Sequence, residues 1–404
     1  MRDALSVAPL IFFNSVLNFA IYLAIIVRDT PPRWDGFWLV AASLTLLPLI
    51  ISFVLVSLRD HSQPVTVATF VTGVTVAVVV AVLSALRLHM SYSGVLLVAI
   101  PTVAVAIVIL LRLYRAQTEH VALLDFPESE AALEKLGGNI QVIRSAEADL
   151  GAFDRYLIDI RTHYSDKWSR FLLRSYMRGV VVTPWIKFLE TRRGRVDIDT
   201  FDLSDVVLRP SQVLYSRAKR VFDLFLVLAL LPFALIIGGV VALYTLWRAG
   251  RPILFRQDRR GFGGRNFQIY KFRTMHQNAG KHSALDNDSR IVPGLRWVRR
   301  LRFDEIPQLY NIWLGQMSWI GPRPATIQVA EVTEAVEPKY ASRLLVRPGL
   351  SGWAQVNSGY ASTVEEEIEK LGYDLYYVKH MSLDLDLVIL ARTLRILLFR
   401  TGAK

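Results

Sequence analysis

Four long apolar runs fill the first 112 residues, at about 8–27, 37–58, 64–86 and 94–111. Each is near the length that spans a hydrocarbon core, about 20 residues of helix. Unbroken apolar runs of this kind can satisfy their backbone in lipid only as helices. The pattern therefore predicts a four-helix membrane region over 1–112, with polar links such as 28–35 and 59–63. No span has an acid or a base in its middle, so no ion pathway is indicated. Asn14 and Asn18 stand one turn apart in the first span and suit hydrogen bonds between helices. Arg112 and Arg115 follow the fourth span and mark that end as cytoplasmic. Composition agrees: 52% of residues are hydrophobic and mean hydropathy is +0.33, above the range of soluble domains. No small-residue cleavage site follows the first span, which reads as a retained helix and not as a signal peptide.

The 47 basic residues exceed the 35 acidic ones, for a formal charge of +12. Because these arginines accompany apolar helices, membrane lipid and phosphorylated substrates fit as partners, and nucleic acid does not. The absence of cysteine excludes disulfides and Cys-ligated metal.

The chain turns polar over 113–205. Strand-like runs at 121–124, 140–143, 156–160 and 180–182 alternate with helical stretches at 128–136 and 167–177. That order predicts a small α/β domain on a parallel sheet. No Gly-x-Gly-x-x-Gly follows these strands, so no nucleotide site is expected there. Leu136-Gly137-Gly138-Asn139 reads as a helix stop.

Residues 206–250 hold a linker and a fifth apolar element. The stretch 221–247 is long enough to cross a bilayer, but two features argue against a crossing. Pro232 at its centre removes a helix hydrogen bond and bends the axis. Basic residues crowd both flanks: Arg209, Arg217, Lys219 and Arg220 before, and Arg248, Arg251, Arg256, Arg259, Arg260 and Arg265 after. A crossing helix shows charge bias between its ends, so equal charge predicts a re-entrant hairpin with both ends on one face. Asp223, near the start, is expected to pair with Lys219 or Arg220.

The region 251–404 begins with short strands expected at 255–257 and 267–270 around a turn at 261–264. Lys271 and Arg273 alternate with Phe272 and share a strand face, suited to a diphosphate or simply to solvent. Asp286-Asn287-Asp288 and Asp384-Leu385-Asp386 match the short Asp-x-Asp metal triplet; the first reads as a loop and the second as a helix start. The glycines and proline of 347–355 fix an irregular path whose N–H groups could approach phosphate or uracil. A helix is expected over 365–377. Residues 383–399, with Arg392, Arg395 and Arg400, read either as an interfacial amphipathic helix or as an ordinary packed one.

The densest chemistry lies in 301–324, LRFDEIPQLYNIWLGQMSWIGPRP. Asp304 and Glu305 stand ahead of Pro307 and of an apolar series at helical spacing (Ile306, Leu309, Tyr310, Ile312, Trp313). Proline is tolerated in a first turn, so both acids are expected at a helix start, where the dipole favours anions. Such a pair is most often only a solvated cap. Here Arg296, Arg299, Arg300 and Arg302 precede it and Arg323 follows in a Gly-Pro-Arg-Pro turn. Carboxylates ringed by arginines suit Mg²⁺ and phosphate.

Six ordered strings carry a resemblance: KRVFD (219–223), FRQDRRG (255–261), YKFRTM (270–275), NDSRI (287–291), RFDEIPQLYNIWLGQMSWIGPRP (302–324) and RPGLSGWAQVN (347–357). Over about residues 210–404 the chain resembles the bacterial sugar transferases that make polyprenyl-diphospho-sugars. These are the polyprenol-phosphate hexose-1-phosphate transferases, or monotopic phosphoglycosyl transferases. The resemblance implies a membrane α and α/β fold. Its parts are a four-helix transmembrane region (1–112), a small Rossmann-like α/β domain (113–205), a linker with a re-entrant membrane helix broken at Pro232 (206–250), and a catalytic α+β domain with interfacial amphipathic helices (251–404). It implies transfer of a hexose-1-phosphate from a UDP-sugar to undecaprenyl phosphate with release of UMP. That is the first membrane step of exopolysaccharide, capsule or O-antigen synthesis, at the cytoplasmic face of the bacterial inner membrane. On matching positions it implies Asp304 as the nucleophile that carries the phosphosugar, and Glu305 with Asp304 as ligands of Mg²⁺. Lys271, Arg273, Arg299, Arg323, Arg256, Arg347 and Gln355 are the implied substrate and phosphate contacts. The chain departs from the family at Leu231-Pro232, where a Ser-Pro pair is usual, and at Arg302, where a serine is usual. The four-helix region is compatible with a homodimer, and the α/β domain with a role in assembly or regulation. Two other classes stay open: a glycosyltransferase that releases UDP, and a non-catalytic assembly scaffold.

Overall fold

The computed structural model describes residues 2–28, 34, 36–57, 64–88, 90–115, 120–137, 140–146, 153–206, 210–276, 288–359, 361 and 363–399. They fall into two compact units, Met1–Glu119 and His120–Lys404. Gly138, Asn139, Arg209, Asp286, Asn287 and Arg400, named above, lie outside the described residues.

The first unit is four helices: α1 (Arg2–Arg28), α2 (Phe37–Ser57), α3 (Pro64–Ala85) and α4 (Tyr92–Arg115). Each contains a stretch long and apolar enough to cross a membrane. Tyr22, Phe37, Leu44 and Val98 bury one cluster between the helices; Leu47, Ile51, Ala106 and Leu110 bury another. Asn18 is fully buried and donates to the Leu44 carbonyl and to Thr102 Oγ1, both at 3.1 Å. It thereby ties α1 to α2 and α4, each bond being worth about 0.6–2 kcal/mol in lipid. Asn14 is buried as well, but its amide finds no partner among the described residues.

The second unit opens with the α/β domain: β1 (Val121–Leu124), α5 (Ser129–Leu136), β2 (Gln141–Ile143), β3 (Arg155–Ile158), α6 (Asp166–Met177), β4 (Val181–Pro184) and α7 (Trp185–Arg193). Its strands are parallel in the order β2-β1-β3-β4. Successive side chains point to opposite faces of a strand. Leu123 and Leu157 accordingly meet α5 and α7, while Ala122, Leu124 and Tyr156 meet Phe171 of α6. Burial on both faces explains why these strands read as continuous apolar runs. Gly137 stops α5 with φ +59°, its N–H bonded to the Leu133 carbonyl at 2.9 Å.

Residues 194–206 lie against the rest of the unit. The Val196 N–H donates to the Gly372 carbonyl at 2.9 Å and Lys339 Nζ to the Ile198 carbonyl at 2.7 Å; just before them, buried Glu190 of α7 pairs with Lys379 at 2.9 Å.

Next comes α8 (Pro210–Ala249), a helix of 40 residues with Pro232 inside it. The expected break at Pro232 is therefore not an interruption of the helix. Burial along it is nevertheless divided. Asp223 and Val227 are buried, then Gly238, Val241 and Thr245, and no residue from 228 to 237 is. Val227 packs on Phe267, Ile269, Ile312 and Met317. Val241 packs on Phe272, Val292, Leu295 and Val298. Both halves thus sit on the same body. Asp223 pairs with neither expected cation. Lys219 goes to Asp386, Arg220 Nη2 donates to the Trp313 carbonyl at 2.8 Å, and Asp223 Oδ1 accepts the Trp319 N–H at 3.4 Å.

The remainder is built from a hairpin and short elements. β5 (Leu254–Arg260) and β6 (Asn266–Phe272) are antiparallel, pairing Leu254 with Phe272 and Arg260 with Asn266. There follow α9 (Arg296–Arg300), a 3₁₀ turn (Phe303–Gln308), α10 (Leu309–Trp313), β7 (Ser318–Ile320), α11 (Ile327–Val336), a second 3₁₀ stretch (Pro338–Leu345), β8 (Gly349–Ser351), α12 (Trp353–Asn357), α13 (Val364–His380) and α14 (Leu383–Phe399). Thr363 and Glu366 close a capping box on α13. Asp384 and Asp386 stand in the first turn of α14, as expected.

Candidate active site

The dyad segment starts with a forced turn. Arg302 adopts φ +55°, a left-handed conformation rare outside glycine. Its carbonyl accepts the Glu305 N–H at 3.1 Å. Asp304 and Glu305 then fall in the first turn of a 3₁₀ helix, Phe303–Gln308, that leads into α10, so the expected helix start is a 3₁₀ one. Pro307 gives the reason: it has no N–H to close an α turn on Phe303, so the segment tightens. The turn carries both acids inward, to 7% and 6% exposure, so they are not a solvated cap.

Three cations surround Glu305. Lys271 Nζ, from the end of β6, lies 2.7 Å from Oε1; Arg323 Nη2 lies 3.1 Å from the same oxygen; Arg302 Nη1 lies 3.3 Å from Oε2. Burial alone would raise the Glu305 pKa, but Lys271, then Arg323 and Arg302, outweigh it and hold the group well below its usual range. Asp304 is the opposite case. Among the described residues it makes no ion pair. Burial, and after it the Glu305 charge, pushes its pKa up to about 6, against the pull of Lys271 and Arg299. Arg299 Nη1 is held at 3.3 Å from Thr274 Oγ1.

Backbone packing aims these groups. Gly238 of α8 is close to Ile306, where an added Cβ would meet its Cγ2 at 3.4 Å. Asn311, fully buried, accepts the Tyr270 N–H at 3.3 Å and donates to the Gln268 carbonyl at 2.7 Å, fastening α10 to β6. The Gly-Pro-Arg-Pro turn is fixed by β7 pairing with β8 and by Gly321 against Gly349 and Gly352. A Cβ on any of these three glycines would overlap backbone of the other loop. The glycines of 347–355 thus allow the close approach of Gly321. Arg259 adds a bond from Nη1 to the Pro324 carbonyl at 2.9 Å.

The structure gathers Asp304, Glu305, Lys271, Arg299 and Arg323, and it adds Arg302. The other named residues engage partners elsewhere. Arg273, buried, donates to the carbonyls of Pro252, Gly250 and Ala249 and ties the end of α8 to β6. Arg256 stacks over Tyr270 at 5.6 Å. Arg347 Nε donates to the Gly315 carbonyl at 3.2 Å, with its guanidinium over Phe262. Gln355 Nε2 donates to the Leu350 carbonyl at 3.3 Å, and its buried Oε1 has no partner among the described residues. Arg302 was named among the arginines that ring the acids but not as a partner of Glu305; its i,i+3 spacing was the available signal. Asn311 and the three-glycine contact were missed, because a backbone approach between distant loops leaves no local pattern.

Among the described residues no group of three or more acidic or histidine side chains could hold a metal. Two adjacent carboxylates still fit Mg²⁺, which commonly takes one or two carboxylates and completes its shell with substrate phosphates and water.

A family model described as bacterial sugar transferase matches residues 214–400. A UDP-N-acetylgalactosamine-undecaprenyl-phosphate N-acetylgalactosaminephosphotransferase of Aeromonas hydrophila is 36% identical over 298 residues, 72% of this chain and 70% of that one. An undecaprenyl-phosphate glucose phosphotransferase of Komagataeibacter xylinus is 34% identical over 246 residues, covering 57% of this chain and 45% of its own length. A UDP-glucose:undecaprenyl-phosphate glucose-1-phosphate transferase of Xanthomonas campestris pv. campestris is 33% identical over 250 residues, 60% and 48% of the two chains.

Proposed function

This chain belongs to the bacterial sugar transferase family, and we propose from that premise that it transfers a hexose 1-phosphate from a UDP-sugar to undecaprenyl phosphate. The observation that carries the reading is the contrast inside the dyad. Glu305 is bound by three cations, while Asp304 beside it is buried, makes no ion pair among the described residues, and has its pKa pushed up to about 6. A carboxylate in that state is available as a nucleophile.

In the first step an Asp304 oxygen attacks the sugar-bearing phosphorus, the bond from that phosphorus to the bridging oxygen breaks, and UMP leaves with the electron pair. In the second, an oxygen of undecaprenyl phosphate attacks the same phosphorus and Asp304 departs as a carboxylate. Lys271, Arg299 and Arg323 stabilise the charge on the phosphate oxygens. Mg²⁺ held by Asp304 and Glu305 would neutralise the diphosphate.

α8 is re-entrant in this reading. Its two halves pack on the catalytic part and its exposed 228–237 stretch enters lipid. Both ends then stay on the cytoplasmic face of the inner membrane, where the dyad meets the lipid phosphate. The named sugars of the relatives differ, N-acetylgalactosamine in one and glucose in others. Purified protein is therefore incubated with Mg²⁺, undecaprenyl phosphate and a panel of UDP-sugars, and the released nucleotide is identified. UMP is expected with at least one sugar. UDP would point instead to a glycosyltransferase, and no turnover with any sugar to a scaffold.

A further inference from the structure

The outer face of α6 has a composition that packing among the described residues does not explain. Lys167, Arg170, Arg174 and Arg178 recur at intervals of three and four residues and so form one stripe along the helix and its C-cap. All four are exposed, and none has a carboxylate partner among the described residues. Beside them Leu173, Tyr176 and Met177 are 55%, 72% and 76% exposed. The inner face is already satisfied, with Phe171 and Ser175 buried and Trp168 and Leu172 packed toward Tyr156. A helix on a soluble surface turns polar residues outward; this one turns out apolar residues alongside its cations.

We propose that α6 docks the α/β domain onto the anionic surface of the bilayer that holds this chain. Basic side chains interleaved with Leu, Tyr and Met are the chemistry of an interfacial helix. The compact unit that holds α6 also holds α8, which is long and apolar enough to cross a membrane. A second copy seated on the same face by a two-fold axis would oppose the cationic stripe to itself, and nucleic acid would leave the three apolar side chains unanswered. α7, on the other face of the sheet, precedes Gly194, whose carbonyl accepts the Trp353 indole N–H at 2.6 Å. Docking of α6 would therefore set the height of the catalytic part above the lipid.

The chain has no cysteine, so one introduced residue carries a unique spin label. Full-length Met177→Cys, and Glu130→Cys on exposed α5 as reference, are labelled and placed in nanodiscs of zwitterionic lipid with or without phosphatidylglycerol. With the anionic lipid, the label at 177 should lose accessibility to a water-soluble nickel chelate and gain it to oxygen, while the label at 130 stays unchanged. The combined Arg170→Gln, Arg174→Gln and Arg178→Gln variant should lower the docked population on the order of a hundredfold, at about 1 kcal/mol per charge near such a surface. If that variant folds poorly, added salt should undock the unaltered stripe in the same way. A label at 177 that stays in water in anionic discs overturns the proposal. So does protection from both reagents with dipolar broadening between copies, which would assign the face to a second copy.

Discussion

Asp386 and Asp304 are both less than a tenth exposed, yet their surroundings differ in kind. Asp386 accepts the Tyr215 hydroxyl at 2.6 Å and the Tyr377 hydroxyl at 2.8 Å, and it pairs with Lys219. These bonds join α8, α13 and α14. Asp304 has Lys271 and Arg299 only as neighbouring fields, and Glu305 holds the direct contacts to Lys271, Arg302 and Arg323. The comparison teaches that a short acidic triplet or pair says little by itself. A buried carboxylate whose lone pairs are all answered is a fastening. One left beside an answered neighbour has an ionisation costly enough to be tuned.

The largest expected effect is on Asp304. Asp304→Asn should lower transfer at least about 10⁴-fold, as loss of a catalytic group does elsewhere, while the unfolding midpoint holds or rises. The rise follows from sign. A carboxyl with raised native pKa binds its proton more tightly when folded, so its ionisation between about pH 4 and 6 costs stability that Asn does not lose. Asp386→Asn should do the reverse: it leaves Lys219 buried without its partner and costs about 3–5 kcal/mol, read as a fall in unfolding midpoint. Equal stability losses in the two variants would erase the distinction.

Glu305→Gln should reduce turnover about 10²–10³-fold, the size expected when charge stabilisation in a site is disturbed. It also sharpens the assignment through pH. Transfer needs ionised Asp304, so the wild-type rate should fall as pH drops through about 6. Removing the Glu305 charge takes away one cause of the raised pKa, and the acid limb should move to lower pH. An unmoved limb would mean that another group sets it. The smallest effect belongs to Arg256→Ala. That side chain stacks on Tyr270 outside the dyad, and steady-state assay should show less than about a threefold change, in line with a single exposed cation–π contact.

Much of this was legible in the chain, for identifiable reasons. The four apolar runs and the α/β alternation specify their elements because burial fixes periodicity over many residues. The dyad and its lysine were legible because motif strings carry them. What was not legible depends on distant partners. Nothing local says that Arg273 is used on the carbonyls at the end of α8, or that Gly349 and Gly352 exist to admit Gly321. Asp223 looked like a partner for Lys219 by helical spacing; α14 supplied Asp386 instead. Pro232 looked like a break, and the helix continues through it, with burial on either side of an exposed middle.

The central claim is that Asp304 carries the sugar phosphate between donor and lipid. It is tested most directly by mixing the protein with Mg²⁺ and a turnover-competent UDP-sugar in the absence of lipid acceptor, quenching in acid, and mapping adducts by mass spectrometry. The account predicts a hexose phosphate on the peptide that contains Asp304, lost on adding undecaprenyl phosphate and absent from Asp304→Asn. The same adduct on Glu305 or any other side chain, or turnover with Asp304 never modified, would contradict it.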